Sequence, residues 1–88
     1  MADFDAVWQR LCDHAGETFV LSRGDRFSYA VAADGLMVTG LRAPIHLLAL
    51  RDAVQRVPLA SHLDVQDLWG PSYLYALLSD QRIRGEDW

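Results

Sequence analysis

Hydrophobic periodicity predicts an α+β fold: a three-stranded antiparallel meander packed against helices, in the order α-β-β-β-α-α-α. Three observations carry this expectation. An apolar face with helical spacing opens the chain, residues 17–40 then alternate with a period of two, and helical spacing returns after Gly40.

The first helix is expected over 4–15. Phe4, Val7, Trp8, Leu11 and Ala15 share one face, with Cys12 beside them. Asp3 is suited to cap it, because a carboxylate can accept an orphan backbone N–H, and Gly16 suits the residue just past its end. Three strands follow. Phe19 and Leu21 alternate in the first, Phe27, Tyr29 and Val31 in the second, and Leu36 and Val38 in the third. A three-residue turn, Arg23 to Asp25, pairs Leu21 with Phe27. A two-residue Asp34-Gly35 turn pairs Val31 with Val38. A slip of one residue would turn a whole side-chain set to the other face, so all seven of these apolar residues are expected inside.

Beyond Gly40 the spacing predicts a helix over 44–57. Pro44 stands in its first turn and Leu47, Leu50, Val54 and Val57 form its stripe, widened by Leu48. Pro58 ends it. Ser61 can cap a short helix reaching about Leu68, with Asp64 where a capping box would place it. Gly70-Pro71 reads as a stop and a new start. A last helix over 71–82 turns Leu74, Leu77 and Leu78 inward, and residues 85–88 are expected to fray.

The 88 residues suffice for one domain, spanning 1–88. Apolar residues make up 51% of the chain and charged residues 23%, a composition that can build a core and leave apolar surface over for a partner or a homodimer. The single cysteine, Cys12, excludes an intrachain disulfide and suits a reducing, cytoplasmic setting. The Met1-Ala2-Asp3-Phe4-Asp5 start is acidic and does not read as a signal peptide, and no apolar run is long enough for a membrane span.

Catalytic, cofactor and metal sites are not expected. Cys12 and His14 are two apart on a helix and point to different sides, so they cannot form a nucleophile–base pair. His14, His46 and His62 lie in separate segments without metal-ligand spacing. No glycine-rich phosphate loop is present. Arg23-Gly24-Asp25 spells an adhesion tripeptide but reads as a hairpin turn.

Two binding functions remain. The expected one is a non-catalytic protein-interaction module, self-associating or partnered through its C-terminal helical face. Aromatic residues and arginine, the types enriched in interface hot spots, concentrate there. Trp69 and Tyr73 are expected to be buried, leaving Tyr75, Arg82, Arg84 and Trp88 as the contact residues. The alternative is a DNA-binding module in which residues 44–84 form a helix-turn-helix-like unit with the last helix facing DNA. The net charge of −4 opposes contact with a phosphate backbone.

Overall fold

The computed structural model describes residues 2–88. Its elements run α1 (Phe4–Asp13), β1 (Phe19–Val20), β2 (Arg26–Phe27), β3 (Tyr29–Ala32), β4 (Gly35–Val38), β5 (Ile45–His46), α2 (Leu47–Val54), a 3-10 turn (His62–Val65), α3 (Pro71–Ser79) and α4 (Gln81–Arg84). The α+β class and the helix-first order are as the sequence predicts. The meander is formed by β3, β4 and β5, while β1 and β2 make a separate two-stranded ladder.

The division falls at Ser28. The segment before it pairs back onto β1, setting Phe19 opposite Phe27. The segment after it pairs forward onto β4, setting Tyr29 opposite Val38 and Val31 opposite Leu36. Both hairpins therefore differ by two residues from the expected register, with Ala33-Asp34 at the second turn. A shift of two keeps every side chain on its face. Phe19, Leu21, Phe27, Tyr29, Leu36 and Val38 are accordingly all buried. Val31 is the exception at 39% exposed, because it lies on the edge strand beside the turn while its partner Leu36 is covered by Ile45 of β5.

The helix expected over 44–57 starts late. Ile45 and His46 leave Pro44 as a strand and pair with Leu36 and Gly35 of β4. α2 then starts at Leu47, its N-terminus closed by the His46 ring, whose Nδ1 accepts the Leu48 N–H at 3.2 Å. Leu50, Ala53 and Val54 face the core, whereas Leu48, expected to widen the stripe, is 70% exposed. Ser61 caps a single 3-10 turn in place of the short helix predicted to reach Leu68. Gly70, in the left-handed region, hands the chain to Pro71 at the start of α3 as expected.

The last predicted helix is two helices. Asp80 adopts an extended backbone and caps α4 by accepting the Arg82 N–H at 2.9 Å. The residues expected to fray are docked. Trp88 donates its indole N–H to the Leu78 carbonyl at 2.8 Å, and Asp87 pairs with Arg10 of α1 at 2.6 Å.

One apolar cluster takes in side chains from α1, both sheets, α2, the 3-10 turn, α3 and Ile83 of α4. Tyr29 ties the sheet to α1 from inside it, its buried hydroxyl donating to the Leu11 carbonyl. Tyr29→Phe is expected to cost about 1 kcal/mol in a urea titration at pH 7, the usual worth of a buried neutral hydrogen bond. Burial pushes the Tyr29 phenol far above its ordinary range. A raised pKa of this kind stabilises the fold below the unfolded tyrosine value of about 10 and is lost as pH rises beyond it. The wild type should therefore lose stability above about pH 10 more steeply than Tyr29→Phe does. Among the described residues no helix is long and apolar enough to cross a membrane.

Candidate docking surface

The residues expected to meet a partner are mostly engaged within the chain. Arg82 grips Asp80 with two nitrogens at 2.9 Å each, donates to Glu17 at 3.1 Å and to the Thr18 carbonyl at 3.0 Å, and lies 3.8 Å from the centre of the Phe19 ring. These contacts bind the loop after α1 to the α3–α4 junction. They also hold the Asp80 carboxyl below the usual carboxylate range. Glu17 is lowered too, first by its hydrogen bond to His14 and then by Arg82. Arg84 donates to the Trp88 carbonyl, and Trp88 is half-buried. Tyr75 is half-buried on α3. The helix-turn-helix-like unit expected over 44–84 is built otherwise: a four-residue 3-10 turn precedes Gly70, and the last helix is broken at Asp80.

The expected exposure of the tryptophans is inverted. Trp88 packs down, while Trp69 is 43% exposed. Trp69 is nevertheless fixed, because its indole N–H donates to the Ala43 carbonyl at 3.0 Å. With that polar atom satisfied, the part of the ring left to solvent is purely apolar.

Trp69 adjoins a larger uncharged surface. Ala43 leads into Pro44, and continuing the β4–β5 register places Pro44 opposite Met37. Met37 is 51% exposed and faces Ala30 on its other side. The solvent side of the sheet thus runs Ala30, Met37, Pro44, with Trp69 next to its end. Beyond Trp69 a shallow hollow of about 230 Å³ is lined by Leu41, Leu68, Trp69, Pro71 and Tyr73, among others. Gly70 forms part of this hollow, and a Cβ at this position would press on the Leu41 and Ile45 side chains. The surface is therefore assembled on two supports, the sheet and the start of α3. Among the described residues no charged side chain lies in the row or lines the hollow.

Other concavities carry less. An open groove of about 900 Å³ lies between the start of α1 and the end of α2, where Arg51 covers the Phe4 ring at 5.1 Å. A smaller one of about 170 Å³ is bordered by Ser22, Arg23, His62 and Ser72, and Arg23 there is neutralised by Asp25 at 2.6 Å. Among the described residues, no three His, Cys, Asp or Glu side chains gather in a metal-binding arrangement.

Sequence reasoning missed Met37, Pro44 and Trp69. The signal for Met37 was present, since it alternates out of phase with the buried Leu36 and Val38. Pro44 was hidden by its fit to a helix start, and the exposure of Trp69 depends on a tertiary hydrogen bond. Comparison with protein-family models, with curated proteins and with solved structures returns no match.

Proposed function

We propose that this chain is a non-catalytic protein-docking module whose contact face is the surface running from Met37 through Pro44 to Trp69 and its hollow. The observation that carries the reading is a tryptophan held by its own N–H bond at the end of an apolar row, Ala30, Met37 and Pro44, on a sheet face whose neighbouring positions are Thr39 and His46. Single exposed apolar residues are ordinary, whereas contiguous ones mark contact surfaces. A pre-positioned tryptophan also loses little side-chain entropy on binding, which suits a hot spot. This moves the contact face away from Tyr75, Arg82, Arg84 and Trp88. A cytoplasmic setting accompanies the reading, because Cys12 has no second cysteine to pair with.

The test is photo-crosslinking in the cell that makes the protein. A benzophenone amino acid replaces Met37 in one variant and Glu86, on the docked tail, in another. Position 37 should give a discrete adduct of higher mass and position 86 should not. No adduct from position 37, or equal yields from both positions, would overturn the proposal.

A further inference from the structure

We infer that the partner on this face is a second copy of the chain, forming a two-fold symmetric dimer. The inference rests on the docking reading above and adds the identity of the occupant. A two-fold interface must be self-complementary, since each contact is made twice with the roles exchanged. This surface carries both halves of two complementary pairs. The first is steric: Met37 projects from the middle strand of the sheet, and the hollow beside Trp69 recedes. A hollow of about 230 Å³ holds one or two side chains, so the unbranched Met37 of each copy can seat in the other's hollow.

The second pair is electrostatic. Arg42 sits between Leu41, which lines the hollow, and Ala43, which holds Trp69. It is exposed and, among the described residues, joins none of the ion pairs, which are made by Arg10, His14, Arg23, Arg56 and Arg82. Asp67 precedes Leu68 and Trp69, which line the same hollow. Both of its carboxylate oxygens hold Arg56, at 2.6 and 2.9 Å, but the side chain is still 60% exposed, and a carboxylate oxygen can accept from a second guanidinium on its open side. Across a two-fold axis Arg42 of each copy meets Asp67 of the other. A stable interface takes about 800 Å² from each partner. That is roughly a sixth of the 5089 Å² this chain exposes, so the sheet face and the hollow must both be used. The dimer should accordingly be a weak one, with a dissociation constant on the order of 10–100 µM.

Analytical sedimentation from about 1 to 500 µM decides the matter, that range bracketing the expected constant. The wild type should pass from 9.9 kDa toward twice that mass. Met37→Glu, at a site that does not enter the core, should weaken association about tenfold or more. Arg42→Asp and Asp67→Arg should each weaken it, because each sets like charges against one another twice. Mixed together, the two variants should associate again, since both contacts then meet an opposite charge. Circular dichroism of each variant separates lost association from lost folding. A 9.9 kDa species at every concentration overturns the dimer, as does a dimer indifferent to Met37→Glu or a mixture no tighter than its components. Should the chain stay monomeric while position 37 still crosslinks to a protein of another mass, the docking face survives and only its occupant changes. With no adduct at all, the docking reading itself fails.

Discussion

Gly35→Ala is expected to be the most damaging single-methyl change in the chain, at about 3 kcal/mol by urea unfolding. The added Cβ would stand 2.1 Å from the Ile45 carbonyl oxygen and 2.9 Å from its carbon. Those atoms are backbone, and neither can rotate aside as a side chain would. β5 must therefore leave β4, and much is attached to β5. Ile45 is fully buried against Leu36 and Gly70, and His46 caps α2. The Leu47 N–H closes on the Asp34 carbonyl at 2.9 Å. Gly24→Ala is the control. Its Cβ meets nothing within 4 Å, but Gly24 has φ +98°, so the cost is conformational alone, about 1 kcal/mol. A Gly35→Ala protein no less stable than Gly24→Ala would show that β5 is not held where described. The functional consequence is separate and also measurable. Because Pro44 and the Trp69 anchor lie on the approach to β5, any Gly35→Ala protein that stays folded should lose the crosslink from position 37.

How far the sequence reveals this arrangement depends on the range of each force. Alternation in Phe19, Leu21, Phe27, Tyr29, Leu36 and Val38 identifies the buried face, because face is a local property with a period of two. It cannot fix register, since a two-residue offset buries the same residues, and both hairpins settle one such offset away. β5 contributes only Ile45 and His46, too few to display alternation, and Pro44 fits a helix start equally well. Asp80 carries a legible capping signal. It was masked because the apolar spacing of Leu74, Leu77 and Leu78 runs on toward Ile83, which is also buried. The contact residues were the least legible. Whether an arginine or a tryptophan faces solvent is decided by partners far along the chain, such as Glu17 for Arg82, Ala43 for Trp69 and Leu78 for Trp88.

Arg82→Ala distinguishes those two roles for an arginine. A contact residue for an outside partner can be removed with little loss of stability, whereas a clamp cannot. Arg82 is expected to be a clamp, with a loss of about 2 kcal/mol at pH 7, drawn mainly from the Phe19 ring stacking and the paired bonds to Asp80. For a chain of this length, that lowers the melting temperature by roughly 10 °C. Arg82→Lys should recover less than half of it, since an ammonium keeps the charge but cannot reproduce the planar fork. The pH dependence gives an independent reading. Asp80 and Glu17 have depressed pKa values in the folded state, so they stabilise it above the unfolded carboxylate range near 4, and this contribution disappears as pH falls through the folded values. The wild-type melting temperature should therefore drop as pH falls below about 5, and the drop should be shallower in Arg82→Ala, where the main cause of the Asp80 depression is gone. If Arg82→Ala instead melts with the wild type and follows the same acid profile, the clamp is not made in solution. Arg82 would then be free for the partner role its sequence context suggests.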